Sequence, residues 1–319
     1  MNRIKVNKVL FSDQRLLLGL VIIMLMIVVS IINPRFITVD NMMSVLQQIA
    51  VVGILTMAMS LLLISGGIDL SIGNIMVLCA VVMAKTIMDG GSVIQAVITG
   101  VVVSTFCGFI NGVIIAKSRC LPLIISLGMG GVYYGISLLV SDGKFMNFGQ
   151  QFDWIRRTRL FDTIPIVMLL FFFAVVAITA ILLNYTRAGR RIAAVGGNEE
   201  NAYLSGISVD KYKILTYTIS GFFCSIAAIV FAARLDSVTS AAVGANYELS
   251  ALTASVVGGV TFEGGRGTIL GAFLGVLLIG LISNAMNVLG INAYIQRIVE
   301  GSIIVIAVVL SNIGSLKRA

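Results

Sequence analysis

The sequence predicts an all-α membrane protein of about ten transmembrane helices, and three observations carry that prediction. Apolar residues make up 58% of the chain and charged residues 11%, where a soluble domain is about a quarter charged. A chain so composed, with mean hydropathy +1.05, cannot coat a globule with polar surface, so much of its solvent must be lipid. The apolar runs are unbroken and long enough to span hydrocarbon as helices, unlike the alternating segments of a barrel. The basic residues are dispersed at the ends of those runs.

Ten intervals fit: residues 16–32, 45–64, 72–88, 93–116, 121–140, 164–183, 214–233, 249–262, 268–289 and 291–310. The first is expected to be a retained helix rather than a signal peptide, because it runs straight into Asn33-Pro34-Arg35 without a small-residue cleavage site. Ten spans put both termini on one side. Arg3, Lys5, Lys8, Arg15, Lys117, Arg119, Arg187, Arg190, Arg191, Lys211, Lys213, Arg266, Lys317 and Arg318 then fall on that side, so the N- and C-termini are expected in the cytoplasm. The expected organisation is one transmembrane domain over 1–319, with a cytoplasmic tail at 1–15, an extracytoplasmic segment at 141–163 and an inner loop at 185–213.

Several classes of chemistry are excluded. The net charge of +8 is too scattered for a nucleic-acid surface. Cys79, Cys107, Cys120 and Cys224 fall in or beside apolar runs without metal-ligand or disulfide spacing, and read as small apolar side chains. There is no histidine, which removes histidine-based metal sites and Ser-His-Asp hydrolysis. No catalytic residue and no metal ligand is assigned.

Two stretches interrupt the pattern. The second interval ends in Ser65-Gly66-Gly67-Ile68-Asp69-Leu70-Ser71, which puts an aspartate and two glycines close to membrane depth. The eighth, at ~1.5 Å per residue, reaches about 21 Å, short of a ~30 Å core, so it is expected to be broken, tilted or re-entrant. It contains Gly258-Gly259 and ends at Glu263-Gly264-Gly265-Arg266-Gly267. Non-helical backbone at such depth survives only inside protein or along a wet cavity. Both stretches read as an apolar run, a glycine pair and then an acid.

The inner loop reads as a short amphipathic helix between flexible ends. Asn198 is an N-cap, Glu199 and Glu200 suit the helix dipole, Gly206 can take the left-handed C′ position, and Ala202, Tyr203 and Ile207 are read on one face. A helix of about two turns is marginal alone and needs a partner surface, either protein or lipid headgroups.

Three strings in order carry a family resemblance. Gly189-Arg190 … Ala194-Val195-Gly196-Gly197-Asn198-Glu199 … Leu204-Ser205-Gly206-Ile207 resembles the cytoplasmic coupling loop of ribose/xylose-type ABC transporter permeases. So does GGIDLSIG at 66–73, and so does the block from Tyr247 to Gly275 that continues to Asn284, Asn287, Leu289 and Gly290. The resemblance implies a type II importer-like permease in a bacterial inner membrane, moving a monosaccharide by alternating access. Its partners would be separate ABC ATPase subunits, an extracytoplasmic solute-binding protein and a second permease chain, identical or paralogous. No cofactor is expected in this chain, since it lacks G-x-x-x-x-G-K-[ST], and ATP with its magnesium would bind the ATPase.

Within that frame the ATPase-coupling residues are Gly189, Arg190, Gly196, Gly197, Asn198, Glu199, Tyr203, Ser205, Gly206 and Ile207. Asp69 is an intramembrane carboxylate that could meet sugar hydroxyls. Gly66, Gly67, Asp69 and Ser71 together also read as a capped helix break, which accounts for every residue in the motif. Asn284 and Asn287, three apart in an apolar helix, are candidates for the translocation path, with helix-to-helix hydrogen bonding the alternative. Gly267, Gly271 and Gly275 recur every four residues and read as a packing face. In the outer segment, aromatics including Phe148, Trp154 and Phe161 interleave with Lys144, Arg156, Arg157 and Arg159. Phe148, Trp154, Arg156 and Arg157 are read as a docking surface for the binding protein, against a membrane-interface belt as the alternative. The sequence has Tyr134 where the resemblance leads one to expect an arginine. A branched-chain amino-acid permease and a secondary transporter are the alternative functions.

Overall fold

The computed structural model describes residues 14–158, 160, 164–240 and 246–316. Arg159, Phe161, most of the expected N-terminal tail, and the terminal bases used for orientation lie outside the described residues. The helices are α1 (Gln14–Ile32), α2 (Val39–Ile64), α3 (Ile72–Met88), α4 (Val93–Ser118), α5 (Pro122–Ser141), α6 (Asp153–Arg157), α7 (Ile166–Tyr185), α8 (Arg187–Gly197), α9 (Glu199–Leu204), α10 (Val209–Leu235), α11 (Tyr247–Val257), α12 (Ile269–Val288) and α13 (Ala293–Leu316). Each of the ten predicted intervals overlaps one of them. Seven (α1, α2, α4, α5, α7, α10 and α12) are long and apolar enough to cross a membrane.

The helix ends follow local rules. Ser92 and Gln95 form a capping box at the start of α4, and Thr268 and Thr186 cap α12 and α8 by accepting from Gly271 N and Gly189 N. At the end of α2 the amides of Gly66 and Gly67 donate to the Leu63 and Leu62 carbonyls, both at 2.9 Å, with Gly66 at φ +78°. At the end of α11 the amides of Gly259 and Val260 donate to Val256 and Ser255 in the same pattern, with Gly259 at φ +86°. These are two Schellman motifs, which is what the matching glycine pairs encode, although the left-handed residue is the first glycine in one and the second in the other.

The bundle is organised around α2, which is buried along nearly all of Ala50–Leu63. It touches α7, α10, α11 and α12, while α10 also lies along α4 and α3. The exterior is apolar: Leu20, Met24 and Ile31 of α1, Ile94 and Val102 of α4 and Leu139 of α5 are all exposed. An outer surface of this kind matches hydrocarbon and would aggregate in water.

The eighth interval is the short one, as expected. The helix stops at Val257 after 11 residues, about 16 Å of rise, and a non-helical hairpin leads to α12. Two expectations need correction here. Gly267 is not on a helix face, because it precedes the N-cap Thr268; only Gly271 and Gly275 lie within α12. The inner loop is not one helix with flexible ends: Arg187–Gly197 is itself helical, with Ile192 and Val195 buried.

The outer segment is tied down by a two-stranded antiparallel ribbon, β1 (Met146–Asn147) against β2 (Ser237–Val238). The ribbon fastens 146–157 to the end of α10 and carries Phe148 inward. Phe148 is fully buried and packs edge-to-face on Phe152, with ring centroids 5.6 Å apart. Its assignment to a docking surface is therefore wrong: alternation along a strand puts it inside while its neighbours stay out.

Candidate functional site

Three backbones meet at one end of the bundle with no side chain between them. The Gly265 amide donates to the Ile64 carbonyl at 2.9 Å, linking the hairpin after α11 to the end of α2. The end of α8 fills the angle they make. A Cβ on Gly196 would collide with the Ile64 carbonyl and lie 2.9 Å from Gly265 N. A Cβ on Gly264 would collide with the Gly196 carbonyl and lie 2.9 Å from Gly66 Cα, and one on Gly265 would lie 2.7 Å from Gly197 Cα. Real Cβ atoms do not approach backbone so closely, so only glycine lets the three segments touch. Gly197 itself is roomier: its Cβ would meet only Gly265 Cα, at 3.9 Å.

Deeper in the bundle lies a buried polar network centred on Asp69, which has no exposed surface. One carboxylate oxygen accepts from the Ser71 amide at 2.8 Å and from the Ser71 hydroxyl; the other accepts from Asn111 Nδ2 at 3.0 Å. Asn111 Nδ2 also donates to Ser71 Oγ at 2.8 Å, and its Oδ1 accepts from the Tyr133 hydroxyl at 2.7 Å. Tyr217, fully buried, donates to the Ile68 carbonyl at 2.9 Å and lies against Gly67. The break between α2 and α3 is thus held by α4, α5 and α10 together. Buried polar groups are tolerated when each finds a partner, and here the carboxylate has three donors.

On the other side of the junction α9 stands in the open. Asn198 caps it by accepting from Asn201 N at 2.7 Å, and Gly206, at φ +76°, ends it. Ala202 is buried, whereas Glu199, Tyr203, Leu204, Ser205 and Gly206 are exposed. Ala202 and Tyr203 do not share a face as expected; consecutive residues on a helix point about 100° apart. Ala202 joins Leu61, Ile192, Val195 and Tyr212 in a small core beneath the loop, which is the partner surface the short helix requires. Lys213 pairs with Glu199, and Arg191 donates to the Tyr212 hydroxyl at 2.8 Å. Beside α9, a cavity of about 720 Å³ is lined by Gly66, Arg119, Pro122, Glu200, Tyr203 and Lys213.

Residues 41–308 match the family described as "Branched-chain amino acid transport system / permease component". The chain belongs to this family. It is 37% identical to the ribose import permease protein RbsC of Bacillus subtilis over 92% of this chain and 90% of that one. It is 34% identical to RbsC of Escherichia coli strain K12, over 96% and 95% of the two chains, and 33% identical to the fructose import permease protein FrcC of Rhizobium meliloti, over 88% and 80%. No solved structure matches. As a permease component with seven helices able to cross a bilayer, the protein is a multi-pass protein of the bacterial inner membrane.

The structure brings the permease's three sequence motifs together, since Gly66, Gly196-Gly197 and Gly264-Gly265 are mutually in contact. Gly189 is buried where α8 begins, and Arg190 is exposed. Ile207 packs against the small core, with its amide on the Ala202 carbonyl. Asn284 exchanges two hydrogen bonds with Asn41 of α2, at 2.8 and 2.9 Å, and Asn287 accepts from Gln296 at 2.9 Å. Both asparagines make helix-to-helix hydrogen bonds. Gly271 and Gly275 bring α12 onto the Gly258 and Ala254 carbonyls of α11, and Gly267 lies against Val260. Trp154 is exposed; Arg156 and Arg157 both pair with Asp153, at 3.2 and 2.7 Å. Among the described residues, no group of three or more His, Cys, Asp or Glu could hold a metal ion.

Three residues of the network, Asn111, Tyr133 and Tyr217, are not among the sequence-predicted site residues. An amide in the middle of an apolar helix was a signal available for Asn111, as it was for Asn284. Tyr133 and Tyr217 carried none, because nothing in sequence shows that either ring reaches α4 or the α2–α3 break.

Proposed function

We propose that the protein is the membrane-spanning subunit of an ATP-binding-cassette importer for a monosaccharide, of the ribose class or a similar pentose or hexose. The likeness to sugar permeases over nearly the full chain supports the substrate class, and the glycine junction supports the mechanism. In this reading all ten long or broken helices lie in the membrane, both termini are cytoplasmic, and α8–α9 is the coupling loop. A second permease chain, identical or paralogous, completes the pathway. Separate ATPase subunits hold ATP and magnesium and receive α9, whose exposed Glu199, Tyr203 and Leu204 present the contact. A solute-binding protein docks at the opposite end over Trp154, Arg156 and Arg157.

The junction is the observation that carries the mechanism. Displacing α9 moves α8, and α8 touches both helix breaks through backbone alone, with no flexible side chain to absorb the motion. Closure of an ATPase pair would therefore shift the end of α2 and the α11–α12 hairpin together, and bias the bundle between its two open states. The Asp69 network then serves as a rigid hinge block that keeps α3, α4 and α5 moving as one.

The test is reconstitution of the chain with its ATPase and binding protein in proteoliposomes. ATP-dependent, binding-protein-dependent accumulation of labelled D-ribose, D-fructose, D-allose or D-galactose is expected. The family's own description makes an amino-acid carrier the second reading. Uptake of leucine with none of the sugars would replace the first by the second.

A further inference from the structure

The end of the bundle opposite the glycine junction contains two adjoining cavities, of about 100 and 160 Å³, sharing Ser250, Ile279, Ser283 and Glu300 as lining. They lie among α2, the end of α10, α11, α12 and α13, where a purely structural packing surface would be apolar. The larger cavity takes its polar lining instead from Gln48, Arg234, Tyr247, Ser250, Ser283 and Glu300, and the smaller adds Asn246, Thr253 and Arg297. Ser283 and Glu300 each sit about one to two turns inside the ends of α12 and α13, some ~8–11 Å in. Intramembrane charge is costly and is kept for function. Each cavity exceeds one water's share of ~30 Å³, and a polar void of that size is filled by something that hydrogen-bonds.

We infer that these cavities form a sugar-binding station inside the permease, where a monosaccharide released from the binding protein is held before it crosses. The inference rests on the reading of the chain as a sugar importer and names a substrate site within it. The donor and acceptor inventory supports it. Arg234 only donates, Glu300 as a carboxylate only accepts, and Gln48, Tyr247, Ser250 and Ser283 can do either. A ligand satisfying all of them needs donors and acceptors spread over a small neutral frame, which describes a sugar. Charges of both signs, Arg234 and Arg297 against Glu300, line the two cavities, so a ligand must offer acceptors as well as donors. Ser283 Oγ reaches Glu300 Oε1 only at a long 3.5 Å, a contact that a bound hydroxyl would improve on. Asp69, in contrast, already has its donors and lines neither cavity.

The experiment uses the complete reconstituted importer and D-ribose. In a Cys120→Ala background, Ser283→Cys is treated with a charged, membrane-impermeant thiol reagent, with and without D-ribose or leucine. Labelling that slows about tenfold with ribose and not with leucine is expected. Glu300→Gln and Ser283→Leu should raise the half-saturating sugar concentration about tenfold, while Ser302→Ala on the exposed side of α13 transports like wild type. A thiol that never reacts, or that reacts equally with and without ribose, overturns the station. Protection by leucine in place of ribose overturns its chemistry. Failure of the wild-type complex to accumulate any sugar is a different result, since it removes the importer reading itself.

Discussion

Gly196 of α8 and Gly66 at the end of α2 touch backbone to backbone: a Cβ built on Gly66 would lie 3.2 Å from Gly196 Cα. With the Gly265–Ile64 hydrogen bond beside it, this contact joins the loop that faces water to the two places where the bundle's helices break.

Neighbouring glycines of the loop should therefore differ sharply. Gly196→Ala forces its methyl into the Ile64 carbonyl, an overpacking penalty of ~1–3 kcal/mol. Gly197→Ala meets only an ordinary van der Waals contact. Membrane insertion should survive in both, while binding-protein-stimulated uptake falls about tenfold or more in the first and changes less than about twofold in the second. Equal uptake by the two variants would remove the junction from the coupling route.

The Asp69 network makes Asn111 more sensitive than Asp69 itself. Asn111→Leu removes the donor to one buried carboxylate oxygen, costing ~1–3 kcal/mol, and leaves the Tyr133 hydroxyl only its longer bond to the Cys107 carbonyl. Asp69→Asn keeps an oxygen for the Ser71 amide and should retain much of the transport. Thermal unfolding of the purified protein in detergent should show a lower Tm for Asn111→Leu than for Asp69→Asn. The reverse order, with transport abolished in Asp69→Asn, would point to direct contact between this carboxylate and substrate.

In the outer segment, stability and docking should separate. Phe148→Ala empties a fully buried site and should destabilise by ~3–5 kcal/mol, visible as loss of expression or of Tm. Trp154→Ala removes an exposed ring and should leave Tm unchanged while raising the binding-protein concentration needed for half-maximal uptake. A Trp154 variant with wild-type dependence on binding protein would assign that ring to the membrane interface instead.

Two helical glycines should respond with opposite sign. Gly271→Ala drives a methyl into the Gly258 carbonyl and separates α11 from α12. Gly131 in α5 has open space around it, so Gly131→Ala should be neutral or stabilising by ~0.5–1 kcal/mol. Urea or heat titration of the solubilised variants against wild type checks both.

Much of the site is legible in the sequence, for a local reason. Glycine pairs that end apolar runs encode Schellman turns from neighbouring residues alone, and Asn198 and Gly206 delimit α9 in the same way. What failed to read through was long-range or one-sided. The helix at Arg187–Gly197 does not read from the sequence, although Ile192 and Val195 lie on one face, because its three glycines and three arginines look like loop composition. Phe148 was placed outside because an aromatic among arginines resembles an interface until a ribbon with Ser237–Val238 turns it inward.

By itself the sequence determined that this protein lives in lipid, where its long apolar helices lie, and to which permeases it is similar. Those properties depend on composition, periodicity and motif order, all of which are written along the chain. Only the tertiary structure decided that the three glycine motifs are a single point in space, that Asp69 is already fully engaged, and that polar residues of α2, α10, α11, α12 and α13 face two adjoining cavities. Contacts between segments so far apart in sequence are set by how helices pack, and no local pattern records them.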